Sequence, residues 1–341
     1  MQKILVTGSC GFIGGYLVEE LLNNGYQVIG VDNFSKYGKV DKSYDNNTNY
    51  TFVQGDVKNT DLLKELISDC DQVVAIAAII GGISLFHTLA YDLLAENERI
   101  TASTFDAAIW AFQNKTLKKI NVISSSMVFE STNTFPSKEG EQLTCPPPLS
   151  TYGFQKLACE YFAKGAHEQY DLPYTIIRPF NAVGIGEKRA LVEKEIPSGN
   201  ISLAMSHVVP DLVQKVIKGQ DPLHILGSGN QIRHYTYAGD LVRGIRLCIE
   251  SEKAINEDFN ISTATSTNVL ELSQLIWEKI HGNKKPFRYI SDEPFKYDVQ
   301  KRVPSVEKAK NVLGFTASTT LSEALDEVIP WIDEQVKIGG I

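Results

Sequence analysis

The feature that most constrains the fold lies at the start of the chain. There the apolar run Ile4-Leu5-Val6 passes into Gly8-Ser9-Cys10-Gly11-Phe12-Ile13-Gly14 and then into the helix-period stretch Tyr16-Leu17-Val18-Glu19-Glu20-Leu21-Leu22. A buried strand, a glycine turn and a helix in that order form the opening unit of a doubly wound parallel α/β sheet. Glycines in G-x-x-G-x-x-G spacing let the turn close, let a pyrophosphate approach the backbone and let the helix pack close to the strand. The first helical turn then offers unpaired N–H groups to anionic oxygens. A second strand, Gln27-Val28-Ile29-Gly30-Val31, ends in Asp32, 18 residues beyond Gly14. A carboxylate there accepts hydrogen bonds from an adenosine ribose and repels a 2′-phosphate, so NAD is expected over NADP. Lys36 is a nearby cation that would offset part of that repulsion.

The same rhythm continues in Tyr50-Thr51-Phe52-Val53, leading to Gly55-Asp56-Val57, and in Gln72-Val73-Val74-Ala75-Ile76, leading to Ala77-Ala78. These strand-end residues fall on the rim where a parallel sheet binds its ligand. Asp56 has two uses open to it: holding an adenine amino group, or capping the helix expected from Asn59 to Ser68. Apolar stripes over Leu93 to Phe112 and Leu157 to Ala166 predict amphipathic helices, with a partner chain as one candidate for the face they bury.

Length and composition narrow the function classes. At 341 residues the chain suits one large or two interleaved domains. A net charge of -8 leaves no basic excess to hold nucleic acid or anionic lipid. No run of about 18 apolar residues predicts a membrane span, and Ile4-Leu5-Val6 follows Met1 too closely for a cleavable leader. The five cysteines, Cys10, Cys70, Cys145, Cys159 and Cys248, are scattered without a C-x-x-C pair, so neither a disulfide framework nor a metal site is expected. A cytoplasmic protein is the expectation.

Chemistry enters in mid-chain. Lys119-Ile120-Asn121-Val122-Ile123 reads as a strand that ends in Ser124-Ser125-Ser126, and Thr151-Tyr152-Gly153-Phe154-Gln155-Lys156 places a tyrosine and a lysine one helical turn apart. At that spacing both side chains share a helix face. An ammonium beside a phenol favours the phenolate, a base able to take a proton from an alcohol. A serine at the strand end would orient that alcohol and hydrogen-bond the developing carbonyl.

In these pieces the chain resembles the extended short-chain dehydrogenase/reductase family, specifically its NAD-dependent nucleotide-sugar epimerases and dehydratases. The resemblance covers nearly the whole chain. It rests on Thr7 to Gly14, Asp32-Asn33, Gly55-Asp56, Ala77-Ala78, Ser124 to Ser126, Tyr152 with Lys156, and Arg178-Pro179-Phe180-Asn181. It implies a Rossmann-type sheet over 1–181, rejoined by 234–250, and a smaller α+β nucleotide-sugar domain from 182–233 and 251–341. Ser125, Tyr152 and Lys156 would be catalytic. NAD would lie against Gly8, Gly11, Phe12, Ile13, Gly14, Asp32, Asn33, Asp56, Val57, Ala77, Ala78, Asn97, Tyr152 and Lys156. The nucleotide sugar would meet Gly82, Ser126, Asn181, Val209, Arg233 and Arg302, with Asn181 and the arginines on the diphosphate. A homodimer through the helices flanking Ser125 is implied as well.

Departures from the family pattern bear on the reaction. The dehydratases carry an Asp-Glu pair where this chain has Ser126 and Met127, the 3,5-epimerases a cysteine at Met127, and the decarboxylases a glutamate there. A thioether takes up no proton. What remains is a triad that moves hydride from a sugar carbon to NAD and back, which suffices for inversion at C4 of a UDP-hexose or UDP-hexuronate. The loop from Ala78 through Gly81-Gly82 to His87 instead resembles the GDP-mannose 3,5-epimerase branch, so a GDP- or CDP-sugar 3,5-epimerase-like enzyme or a 4-ketoreductase is the alternative. A silent NAD sensor is the rival from another class. His87, Lys188, Lys194, Glu195 and His207 are further candidates for facing the sugar.

Overall fold

A computed structural model of the chain describes residues 1–80, 89–188, 196–203, 207–294 and 298–341. Seven strands form one parallel sheet: β1 (Lys3–Thr7), β2 (Gln27–Asp32), β3 (Tyr50–Gln54), β4 (Gln72–Ala75), β5 (Lys119–Ile123), β6 (Tyr174–Pro179) and β7 (Glu257–Ile261), in the order β7-β6-β5-β4-β1-β2-β3. The order reverses between β1 and β4, the switch point at which a doubly wound sheet opens a crevice beyond its strand ends. Burial on both faces explains why β5 is buried throughout, why β6 is buried along nearly its whole length, and why β1 carries the unbroken apolar run Ile4-Leu5-Val6.

Helices cover the two faces. On one, α1 (Phe12–Asn23) packs Leu17, Val18 and Leu21 against Ile4, Val6 and Val28. On the other, α2 (Thr60–Ile67), α3 (Ala90–Asn114) and α4 (Thr151–Tyr170) enclose Leu5, Val73, Phe105, Val122 and Ile176. A separate core joins α5 (Val208–Ile217), the parallel pair Leu223–Leu226 with Tyr289–Asp292, α7 (Val269–His281) and α9 (Leu321–Lys337). This is the smaller unit.

The boundary expected from the sequence needs correcting. Besides α6 (Ala238–Glu250), the large unit takes back β7, which hydrogen-bonds along β6, and α8 (Glu307–Leu313), whose Ala309 joins Phe315 in the core around α1. The segment 251–341 is therefore divided between the units. Without β7 the backbone groups on the outer side of β6 would lie unpaired, and β7 supplies their partners and becomes the sheet's edge. Among the described residues, no helix is long and apolar enough to cross a membrane.

Candidate active site

A cavity of about 500 Å³ runs along the C-terminal rim of the sheet and gathers most of the expected residues. Gly8, Gly11, Phe12, Ile13, Gly14, Asp32, Asn33, Asp56, Val57, Ala77 and Ala78 line one part of it. Ser125, Ser126, Tyr152, Lys156, Asn181, Arg233 and Arg302 line the rest.

The glycine turn is built to leave its backbone bare. Gly8 has φ +69° and lies so close to β4 that a Cβ would fall 2.9 Å from Ala77 Cα. A Cβ on Gly14 would fall 2.1 Å from Gly8 O, so only glycine lets α1 start against the turn. Thr7 Oγ1 accepts from Ile76 N and Ala77 N, both at 3.1 Å, and so ties β4's end to β1. Asp32 is already engaged: Oδ2 accepts from Cys10 N at 3.0 Å and Oδ1 from Phe34 N at 2.8 Å. It therefore braces the turn, and further lone pairs on each oxygen remain for a ribose hydroxyl. Burial, with Asp32 nearby, pushes the Cys10 thiol up to about 11, which keeps it protonated.

Helix α4 carries the reactive face. Ser150 caps it by accepting from Gly153 N at 3.0 Å, and its own hydroxyl and N–H are held by Glu130 Oε2 at 2.7 and 3.1 Å. Tyr152, Lys156 and Glu160 follow at four-residue spacing, each buried. Lys156 Nζ donates to Ile123 O at 2.9 Å, anchoring the ammonium to the end of β5. Ser125 Oγ accepts from Met127 N at 3.1 Å, which starts a 3-10 turn over Ser126–Phe129 and leaves the hydroxyl proton to donate.

Beneath this face, Glu160 accepts from Ser124 Oγ at 2.6 Å and from Arg178 Nε and Nη2 at 2.7 and 2.8 Å. Arg178 also meets Asp258 at 2.7 Å, on β7. Despite burial, Glu160 and Asp258 hold the guanidinium above its ordinary range. A buried carboxylate needs such partners. The Ser124 hydrogen bond ties α4 to the end of β5, next to Ser125, and the Arg178 pairing ties α4 to β6.

The cations of the smaller unit arrive through backbone pairing. Ile232–Arg233 bonds antiparallel to Thr267–Asn268, while Arg302 N donates to Ile232 O at 3.1 Å. Both guanidiniums thus enter one cavity wall. Arg233 is held by Ile232 O at 2.9 Å and by Asp298 at 3.6 Å, and burial lowers its ordinary value. Burial, compounded by Arg233, pushes Arg302 down to about 9, and its Nε is a buried donor without a partner among the described residues. Two desolvated guanidiniums with so little compensation favour an anion between them.

Several expected residues act differently. Asn97 does not line the cavity: its Oδ1 accepts from Ile79 N at 2.7 Å and its Nδ2 donates to Ile79 O at 2.9 Å, so it shapes the wall through Ile79. Val209 is buried in the second core, and His207 and Val208 line the cavity instead, because the helical rotation at the start of α5 turns Val209 away. Asp56 is not the cap of α2; Asn59 accepts from Asp61 N and Leu62 N, and Asp56 pairs with Lys58. Asn181 does line the cavity, with its Nδ2 spent on His234 O at 3.3 Å. Gly81, Gly82, His87, Lys194 and Glu195 lie outside the described residues.

Sequence reasoning missed Lys58 and Glu96, which pair across the cavity rim, and Ile79, Ile80 and Ile100 in its apolar wall. Glu96 and Ile100 are one turn apart on α3, a spacing visible in the sequence only to a reader who already knows which face α3 presents.

A family model for the NAD dependent epimerase/dehydratase family matches residues 4–262. A putative UDP-glucose 4-epimerase of Methanocaldococcus jannaschii is 28% identical over 96% of this chain and 98% of that protein. A UDP-glucuronate 4-epimerase of Thermodesulfobacterium geofontis is 26% identical over 99% of this chain and 98% of its own length. Among solved structures, the UDP-glucose 4-epimerase of Thermotoga maritima with UDP-glucose superposes with a TM-score of 0.81 at 29% identity, covering 98% of this chain and all of that one. The Bacillus cereus UDP-glucuronic acid 4-epimerase in complex with UDP-glucuronic acid and NAD gives 0.81 at 26%, covering 98% of this chain and 99% of that one.

Proposed function

This chain belongs to the NAD dependent epimerase/dehydratase family, and from that premise we propose that it inverts C4 of a UDP-hexose or UDP-hexuronate. The observation that carries the reading is the meeting, in one cavity, of Ser125, Tyr152 and Lys156 with the undercompensated pair Arg233 and Arg302. A bare glycine turn and the carboxylate of Asp32 fit NAD, the bound cofactor that supplies the acceptor and then the donor of the C4 hydride.

The residues divide the remaining work. Arg233 and Arg302 take the diphosphate, which relieves their mutual repulsion. Ser125 donates to the C4 oxygen and holds the hydroxyl toward Tyr152. Tyr152 takes the hydroxyl proton as the carbonyl forms and returns it when C4 is reduced from the other face. Lys156, held by Ile123 O, keeps a positive charge beside the phenolate. Ser126 and Met127 supply neither acid nor base, which suits a reaction that needs no second proton-transfer group. A cytoplasmic homodimer completes the proposal. Five free cysteines support a reducing compartment, and exposed Leu149, Phe154 and Tyr161 at and along α4 support pairing through that helix.

Incubation with UDP-glucose, UDP-galactose, UDP-glucuronate and UDP-N-acetylglucosamine, followed by anomeric proton NMR, tests the reading. One pair of C4 epimers should interconvert without uptake of solvent deuterium. In Tyr152→Phe, kcat should fall at least about 100-fold while NAD stays bound. Turnover of a GDP- or CDP-sugar with none of the UDP-sugars would sink the UDP assignment.

A further inference from the structure

The loop that leaves Asn181 carries Glu187 into the interior, where it is 2% exposed. Its carboxylate meets Nδ1 of His207. His207 stands immediately before α5, with its carbonyl accepting from Asp211 N, and lines the same cavity as Asn181, Ala182 and Arg233. The C4 mechanism uses neither residue. A carboxylate is buried at a cost unless it is paired, so the dyad is a built feature of the wall.

The pairing fixes what the imidazole can do. With Nδ1–H given to Glu187, the ring is held in one orientation and Nε2 is its remaining polar atom. That atom can accept from a hydroxyl, or donate to one when the ring is protonated. The charge count is equally restrictive. Glu187 carries one negative charge that an imidazolium cancels and a neutral imidazole does not, so the dyad offers no net positive charge in either state. Lys188, next in sequence, lies near Lys42 and not on the cavity wall. Arg233 and Arg302 are committed to the diphosphate in the reading above. A sugar hydroxyl finds a partner at Nε2, whereas a C6 carboxylate would be the second anion beside one imidazole.

Resting on that C4 reading, we infer that Glu187 and His207 form a sugar-recognition dyad that hydrogen-bonds a hexose hydroxyl and disfavours a hexuronate. His207 is a specificity-determining residue and Glu187 its positioning partner.

Steady-state kinetics of the NAD-loaded enzyme with UDP-glucose and UDP-glucuronate test this in wild type, His207→Gln and Glu187→Gln. The wild type should favour UDP-glucose. His207→Gln should lower kcat/KM for UDP-glucose by about tenfold, mainly through KM, the equivalent of one lost hydrogen bond. Glu187→Gln should raise the glucuronate-to-glucose ratio of kcat/KM by about as much. Ratios unchanged in both variants, or a wild type that prefers UDP-glucuronate, would overturn the assignment. So would solvent deuterium entering a sugar C–H bond in the wild type but not in His207→Gln, which would make the ring a proton-transfer group. If Glu187→Gln fails to fold, His207→Gln carries the test alone. If the wild type turns over none of the four UDP-sugars, the C4 reading fails by itself. Calorimetric affinities of Tyr152→Phe, with and without His207→Gln, for the two nucleotide sugars then decide recognition independently.

Discussion

At the scale of single residues, the cavity combines groups that suit the fold with groups that strain it. Tyr152 and Lys156 are buried on α4, and Lys156 is anchored to Ile123 O. Arg302 is different, because burial and Arg233 both act against its charge and its Nε has no partner among the described residues. The fold bears that cost and an anion removes it. Arg302→Gln should therefore stabilise the ligand-free protein, by about 1 kcal/mol or more, while weakening UDP binding at least about tenfold. Urea denaturation and calorimetry read the two effects, and a variant less stable than wild type would contradict the account. Asn97 and Asp56 show the limit of reading residues singly. A polar side chain near a site is as readily spent on backbone as on a ligand, and both of Asn97's hydrogen-bonding ends go to Ile79.

At the scale of elements, α4 and β5 form the working unit, with the Ser124–Glu160 hydrogen bond fixing one against the other and Arg178 tying Glu160 to β6. A second polar tie anchors β5 at its far end. Lys119 is buried and donates to Cys248 O at 2.7 Å at the C-terminus of α6, where a cation suits the helix end. Burial nevertheless lowers its ammonium from 10.5 to about 8. The folded value lies below the unfolded one, so between those limits the unfolded chain binds more protons and stability climbs with pH. The stability of wild type relative to Lys119→Met should accordingly increase between pH of about 7.5 and about 9.5. Denaturant midpoints at the two pH values check it, and a difference that shrinks would contradict the burial argument. The elements themselves were largely legible, because strand and helix periods differ. The identity of α2's cap was not, since Asp56 and Asn59 are both competent caps and only the chain path chooses.

At the scale of the molecule, the chain crosses between its two units repeatedly and the cavity forms where they meet. The exposed side chains Phe154 and Tyr161 lie two turns apart on one face of α4, with Leu149 just before it. Sedimentation should find a dimer that Phe154→Asp with Tyr161→Asp converts to monomer; a wild-type monomer at micromolar concentration would remove the proposal. The sequence by itself determined the parallel sheet, the glycine turn, Asp32 at the end of β2 and the Tyr152–Lys156 face, because each depends on residues adjacent in the chain or one helical turn apart. Tertiary structure alone decided that β7 and α8 return to the large unit, that His207 and Val208 line the cavity in place of Val209, and that Glu187 meets His207. Those outcomes depend on which face of an element a distant segment covers, and packing between segments far apart in the chain leaves no local period to read.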